Sequence, residues 1–207
     1  MNWSWIKWAY LCLAYFCYVI KNLYVIAGCN GAGKTTASFT ILPEILNCKE
    51  FVNADEIAKG LSPFQPESVA FEAGRIMLHR IKDLIKENRT FAFETTLSTK
   101  SHKHIVFEAK RNGYNVNLLF FWLQHVELAI ERVKTRVVEG GHNIEVEVIR
   151  RRYKRGLKNL FEIYLPIFDE VMIFDNSDVK PELIAEKQKN TDLEILNELK
   201  FLALKNY

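Results

Sequence analysis

The chain has 207 residues, of which 49% are hydrophobic and 26% are charged. That is enough for one well-buried α/β domain and leaves little room for two. The formal net charge of +3 is too small to indicate, by itself, a nucleic-acid or acidic-membrane partner. The four cysteines lack the spacing of a metal site or a disulfide framework, so we expect a reducing, cytoplasmic compartment.

Residues 1–21 form an apolar N-terminal extension, and between residues 3 and 20 only Ser4 and Lys7 interrupt its apolar and aromatic run. Such a segment can be a membrane anchor, a cleaved signal peptide, or an extension that packs on the domain or is disordered, an over-called translation start being one origin of it. Lys21 and Asn22 separate the apolar run from the next predicted strand, and two residues span about 7 Å when extended. Because a bilayer helix would then run straight into a buried strand, we favour an extension outside the membrane. A membrane-tethered protein stays open as the alternative.

Residues 28–35 read Gly-Cys-Asn-Gly-Ala-Gly-Lys-Thr, which is the G-x-x-x-x-G-K-T pattern of a phosphate-binding loop. An apolar run at residues 23–27 precedes the loop as a predicted strand, and a predicted helix follows it. The glycines let backbone N–H groups approach phosphate oxygens, Lys34 can reach the β- and γ-phosphates, and the Thr35 hydroxyl can bind Mg²⁺. The predicted nucleotide-binding residues are Gly28, Cys29, Asn30, Gly31, Ala32, Gly33, Lys34, Thr35 and Thr36.

Strands and helices are predicted to alternate along the rest of the chain. Helices are predicted over residues 34–42, 67–88, 100–112, 126–138 and 144–164, and strands over 50–53, 90–93, 114–123 and 170–174. A last amphipathic stretch, 191–204, is predicted to dock as a surface helix. This order indicates an α/β, three-layer P-loop NTPase fold, with a parallel sheet covered by helices on both faces.

Two carboxylates follow predicted strands, at the sheet edge where ligands gather in such folds. Asp55 can orient an acceptor hydroxyl and take its proton, or it can cap the turn that follows it. Glu94 can hold Mg²⁺ through water or bind substrate hydroxyls, or it can cap the next turn with Thr95 and Thr96. We predict that Asp55, Glu94 and Thr95 bind substrate.

A basic run follows the glycine corner at residues 140–141. Six of the nine residues from Arg150 to Lys158 are basic. One face of this helix, within a lid at about residues 139–160, can close over the nucleotide and neutralise charge on the transferring phosphoryl group. The same run is also typical of a solvated surface or of a nucleic-acid patch, and both readings stay open.

Arginines are therefore candidates for the catalytic clamp. Arg132 and Arg136, on the preceding predicted helix, can add to the lid, and Arg151 is the predicted lid arginine. The predicted catalytic residues are Asp55, Lys34, Arg132 and Arg151. The histidines, His102 among them, are predicted to lie at the surface or in loops.

Several classes of P-loop protein are disfavoured by the sequence. It has no N-K-x-D motif, which a signalling or translational GTPase needs to read its base. It has no L-S-G-G-Q stretch and no apolar strand ending in Asp-Glu, which ABC and AAA-type ATPases show. What remains is a small kinase that phosphorylates a small molecule.

The motifs, in this order, resemble those of the zeta toxin family. The matching parts are the loop at residues 27–36, the Asn53-x-Asp55 element, Phe93-Glu94-Thr95-Thr96, and the stretch from Gly140 to Tyr153. The resemblance covers residues 23–177. The chain departs from the family pattern in being compact and in having Thr-Thr where the toxins often have Gly-Thr after the glutamate.

This resemblance implies a kinase that uses ATP and Mg²⁺ to phosphorylate the sugar 3′-hydroxyl of UDP-N-acetylglucosamine. It implies that Asp55 is the base and that Glu94 contacts substrate. It also implies that Arg132 and one or more of the arginines at 150–152 contact phosphate. An antitoxin protein is implied as a possible partner. The competing hypothesis is a nucleotide-binding regulator or a nucleic-acid-associated ATPase.

The predicted organisation follows from the extent of these motifs. It consists of the extension at 1–21, a P-loop kinase domain at 22–180, and a C-terminal helical tail at 181–207.

Overall fold

Residues 21–141 and 143–207 are described by the computed structural model of the chain. The apolar stretch 1–20, and with it the choice between a membrane anchor and another kind of extension, lies outside the described residues. Within the two described ranges, no helix has the length and apolar character that crossing a membrane requires.

Seven strands and seven α-helices follow one another in the described part of the chain. The strands are β1 (Asn22–Gly28), β2 (Phe51–Val52), β3 (Phe91–Thr95), β4 (Asn115–Trp122), β5 (Glu170–Asp175), β6 (Glu182–Lys187) and β7 (Glu194–Ile195). The helices are α1 (Lys34–Thr40), α2 (Ala54–Leu61), α3 (Ala70–Lys86), α4 (His102–Arg111), α5 (Val126–Val138), α6 (Val146–Asn159) and α7 (Glu198–Lys205). Short π-helical segments extend α1 through Ile41–Ile45 and α6 through Leu160–Tyr164.

The strands form a single sheet in the order β2-β3-β1-β4-β5-β6-β7. The first five in this order are parallel, whereas β6 pairs antiparallel with β5 and β7 pairs antiparallel with β6. Every residue of β4 is buried, as expected for a strand with helices on both faces of the sheet. The predicted α/β P-loop fold is confirmed.

The C-terminal part of the chain differs from its prediction. Strands β6 and β7 occupy residues that were expected to be helical, and α7 begins only at Glu198. Ile184 and Ala185 are buried because β6 adds their side chains to the sheet edge. The apolar spacing between residues 191 and 204 predicted a helix because short apolar runs do not distinguish helix from strand. The domain boundary at residue 180 stays a prediction.

The start of α2 decides between the two roles that the sequence left open for Asp55 at this turn, as far as capping is concerned. The Asn53 Oδ1 accepts hydrogen bonds from the backbone N–H of Asp55 at 2.8 Å and of Glu56 at 3.4 Å. Asn53, rather than Asp55, is therefore the N-cap of this helix. The Asp55 carboxylate, which one prediction assigned to capping, therefore does not cap this helix.

Candidate active site

The phosphate-binding loop between β1 and α1 has a backbone shape that demands glycine at its two ends. Gly28 has φ +143°, and a side chain there would collide with the Phe121 carbonyl oxygen of β4. Gly33 has φ +80°, and a Cβ there would lie 2.5 Å from the Asn176 Nδ2. The loop is thus pressed against the carboxyl ends of β4 and β5. Burial raises the pKa of the Cys29 thiol in this loop to about 11, so it stays protonated at neutral pH.

Lys34 opens helix α1 and is almost completely buried, with 6% of its surface exposed. Its Nζ donates a hydrogen bond to the Cys29 carbonyl at 2.9 Å and lies 3.4 Å from the Glu94 Oε1. The ammonium group is therefore folded back over the loop, with a carboxylate as its partner. This is the position from which it can meet phosphate oxygens that approach the loop.

At the end of β3, Glu94 binds polar groups from two other elements, helix α1 and the N-cap of α2. Its Oε2 accepts hydrogen bonds from the Thr35 hydroxyl at 2.7 Å and from the Asn53 Nδ2 at 2.9 Å. Asn53 thereby joins the cap of α2 to the phosphate-binding loop, a second role that sequence reasoning missed. The oxygen atoms of Thr35 and Glu94 are the hard ligands that Mg²⁺ prefers, so the residues present fit that ion.

Asp55 is exposed in the first turn of α2 and lines two cavities, one of about 450 Å³ and one of about 610 Å³. Arg152, from helix α6, approaches the same region and donates a hydrogen bond to the Asn30 Oδ1 at 3.3 Å. Burial lowers the pKa of Arg152, and the negative charge of Asp55 acts in the opposite direction. Because a guanidinium stays charged throughout the physiological range, Arg152 brings a positive charge to the cleft beside Asp55.

The two arginines that were predicted to be catalytic are placed differently from the expectation. Arg151 is exposed and lines neither cavity, whereas its neighbour Arg152 lines the cavity of about 610 Å³. Arg132 donates to the backbone carbonyls of Asn176 and Ser177, at 2.9 Å each. Its guanidinium therefore holds the turn after β5 instead of pointing freely into the cleft. Helix packing gives the physical reason, since only one face of α6 can meet the loop.

Arg136 lies one turn further along α5 than Arg132, and its guanidinium is not used to hold a turn in this way. Its Nε and Nη2 are buried and have no hydrogen-bond partner among the described residues. It lines a cavity of about 450 Å³ together with Thr35 and Thr36. Its guanidinium brings a positive charge to this cavity, which suits an anionic group.

The larger cavity, of about 610 Å³, opens on the other side of Asp55. It runs from Lys34 and Glu94 to the exposed face of α3, and its floor carries hydroxyl groups. The lining residues on that face and floor include Phe71, Gly74, Arg75, Leu78, Thr95, Thr96, Ser98, Thr99, Ser101 and His102. A volume of this size is typical of a small-molecule site.

Thr95 and His102 lie at the floor of the larger cavity. The Thr95 hydroxyl accepts from the Leu97 backbone N–H at 3.1 Å and lies 3.1 Å from the His102 Nδ1. Thr95 is thus engaged in fixing the turn after β3, although it also lines the cavity. His102 was expected at the surface but is in the cavity wall, and burial lowers its pKa. Nothing in the local sequence distinguishes it from a surface histidine.

Comparison with known proteins places this site in a family. A profile of the zeta toxin family matches residues 20–187. A protein of Haemophilus influenzae, described as uncharacterised, is 31% identical over 137 residues, which span 66% of this chain and 96% of that protein.

Solved structures share the fold at lower identity. The AvrRxo1-ORF1:AvrRxo1-ORF2 complex with sulphate ions gives a TM-score of 0.74, and the same pair with ATP gives 0.72; both are 16% identical and cover 93% of this chain. The chain spans 65% of the length of those AvrRxo1 chains. A structure from the PezAT toxin–antitoxin system of Streptococcus pneumoniae gives 0.61 at 18% identity, covering 93% of this chain and 84% of that one. Because the profile match extends over most of the sequence, and over the strands and helices that build the cleft, the chain belongs to the zeta toxin family of P-loop kinases.

Proposed function

We propose that this kinase transfers the γ-phosphoryl group of ATP to a sugar hydroxyl of UDP-N-acetylglucosamine. The observation that carries the proposal is the position of Asp55. Its side chain lines both the cavity of about 450 Å³ that Thr35 and Arg136 also line and the cavity of about 610 Å³ that runs from Lys34 and Glu94 to α3. A base in that position stands between a phosphate donor and an acceptor hydroxyl.

The donor half of the proposal rests on the phosphate-binding loop and its arginines. ATP is the expected donor, and the fold is shared with a structure that was solved with ATP. Lys34, Arg152 and the unpartnered donors of Arg136 supply positive charge around the loop. Bound Mg²⁺, held by Thr35 and through Glu94, would neutralise phosphate charge.

The acceptor half rests on the wall formed by α3. Phe71 and Arg75 are four residues apart, share one face of this helix and are exposed to the cavity. An exposed aromatic ring can stack on a nucleobase, and a guanidinium can pair with a diphosphate. Hydroxyl groups on the opposite floor, such as Ser98 and Thr99, suit the sugar. These features support a nucleotide sugar as acceptor.

The proposed reaction is then a single displacement. Asp55 accepts the proton of the acceptor hydroxyl as its oxygen attacks the γ-phosphorus and the bond to the β-phosphate oxygen breaks, releasing ADP. Lys34 and Arg152 stabilise the negative charge on the transferring group. An antitoxin protein is the partner that we propose, because a structure of the same fold comes from the PezAT toxin–antitoxin system.

The test uses the full chain with Mg²⁺, ATP and UDP-N-acetylglucosamine, and identifies the products by mass. We expect a phosphorylated sugar nucleotide that is absent with the Lys34→Ala variant. ATP hydrolysis without a phosphorylated product would rule out this acceptor, and a screen of other sugar hydroxyls would follow.

Arg152, rather than Arg151, should be the lid arginine that matters for transfer. We expect Arg152→Ala to lower kcat by about 10²-fold, as the loss of one preorganised donor to a developing charge does. Arg151→Ala, which removes the same group from the exposed face of the same helix, should change kcat less than about twofold, as expected of a surface charge. Steady-state kinetics of both variants decide, and equal losses would contradict the assignment.

A further inference from the structure

Helix α7, at the C-terminal end of the chain, places a lysine against the end of strand β5. The Lys200 Nζ lies 2.6 Å from the Asp175 Oδ2 and 2.7 Å from the Glu182 Oε2. The Asp175 side chain is 1% exposed, whereas that of Glu182 is 46% exposed. The helix is held in place by Phe201, which is buried and packs edge-to-face on Phe161 at 6.0 Å. Lys200 is therefore the cation that compensates the buried Asp175 carboxylate.

Asp175 uses its remaining acceptor capacity to join the ends of β4 and β5. Its Oδ1 accepts from the Ser177 backbone N–H at 3.0 Å and from the Ser177 hydroxyl at 2.6 Å. Its Oδ2 accepts from the Gln124 Nε2 at 2.7 Å, and the Gln124 backbone N–H donates back to the Ser177 Oγ at 2.9 Å. The three residues form a closed ring of hydrogen bonds whose charge is balanced by Lys200.

The turn held by this ring carries the residue that touches the phosphate-binding loop. The Asn176 Nδ2 donates to the Ala32 carbonyl at 2.8 Å, and the same atom fills the space where Gly33 lacks a side chain. Arg132 secures the other side of the turn through the carbonyls of Asn176 and Ser177. The orientation of the loop carbonyl therefore depends on where Asp175 holds the turn.

We propose that Lys200 and Asp175 are positioning residues for the nucleotide site, acting through Asn176 on the phosphate-binding loop. Neither lines the larger or the smaller cavity described above. Without its cation, the buried Asp175 carboxylate would have to take up a proton or move towards water, because an unpaired buried charge is costly. Either change loosens the turn and with it the backbone N–H groups that cradle phosphate.

The inference rests on the proposed function only in taking the loop as the site of ATP. It adds the C-terminal helix α7, which lies outside the glycine loop and the lid, to the elements that determine nucleotide affinity.

The experiment compares the full chain with Lys200→Met, Lys200→Arg and Asn176→Ala variants. Glu182→Gln is the matched control, since it neutralises the exposed partner of Lys200 and leaves the buried Asp175 paired. The first readout is hydrogen–deuterium exchange of the peptide covering residues 28–36 without nucleotide. The second is the Kd for a non-hydrolysable ATP analogue with Mg²⁺, with thermal unfolding recorded for every variant.

We expect Lys200→Met and Asn176→Ala to speed exchange in residues 28–36 and to raise the Kd by about tenfold, within the range of couplings that run through packed networks. Lys200→Arg should restore most of the affinity, and Glu182→Gln should behave like the wild type. Unchanged exchange and affinity in Lys200→Met would overturn the proposal. Equal acceleration of exchange throughout the sheet would also overturn it, because that indicates general destabilisation.

Failure of the proposed function gives a separate result. A chain that binds the ATP analogue but forms no phosphorylated sugar nucleotide would lose the acceptor assignment. The exchange and affinity measurements would still decide the role of Lys200.

Discussion

Replacing Asp55 with asparagine should lower kcat for phosphoryl transfer by about 10²–10⁴-fold, the usual contribution of a positioned base. The Kd for ATP should change little. Lys34 and Thr35 are held by Glu94 and the Cys29 carbonyl, and Asp55 is not among their partners. The substitution keeps the shape of the side chain and removes the proton acceptor. Rapid-quench measurement of single-turnover transfer, together with equilibrium binding of an ATP analogue, separates the two effects.

Glu56 offers the matched control for Asp55. It is the next residue of the same helix turn and is exposed; it also lines the cavity of about 450 Å³, but its carboxylate is already paired to Lys59 at 2.6 Å. Glu56→Gln should retain transfer within about twofold, as expected for an exposed ion pair of little energetic weight. Equal losses in Asp55→Asn and Glu56→Gln would indicate that the general charge of α2, rather than a base, governs the reaction.

Replacing Lys34 with methionine should reduce kcat/KM for ATP by roughly 10²–10³-fold, the cost of removing one preorganised charge from a transferring phosphoryl group. A second cause adds to this loss. Glu94 lies 3.4 Å from Lys34, and without the ammonium group its carboxylate would repel the incoming phosphates. We therefore expect the Kd for the ATP analogue to rise as well, in contrast to Asp55→Asn.

Lys82→Met provides the control for this prediction, because Lys82 is an exposed residue of α3 and does not line either cavity described above. It should leave kcat/KM unchanged. A Lys34→Met enzyme that keeps its affinity for the ATP analogue and its kcat would contradict the role assigned to the loop. Isothermal titration calorimetry and initial-rate kinetics supply the two measurements.

Part of the site could be predicted because each of its parts is recognisable in a short stretch of sequence. The glycine loop carries its own backbone geometry, and the carboxylates at 55 and 94 follow strands whose carboxyl ends must meet at one edge of a parallel sheet. The structure brings Glu94 within hydrogen-bond distance of Thr35. Local patterns and one topological rule were sufficient for these placements.

The lid arginine is an intermediate case, because the apolar residues of α6 contain information about which arginine faces inward. Ile149, Tyr153 and Gly156 are buried and mark the inward face of α6. At 100° per residue, Arg152 lies at the border of this face and Arg151 lies opposite to it. The apolar periodicity of the helix therefore favours Arg152, whereas the density of basic residues alone does not distinguish the two.

The sequence by itself determined the fold class, the phosphate-binding loop and the two carboxylates, because strand periodicity, glycine geometry and strand ends are local properties. Only the tertiary structure decided that Arg132 binds the turn after β5, that β6 and β7 extend the sheet, and that Lys200 is linked through Asp175 and Asn176 to the loop. These outcomes depend on pairs of residues far apart in the chain. Their distances are set by packing, and no local pattern records how distant elements pack.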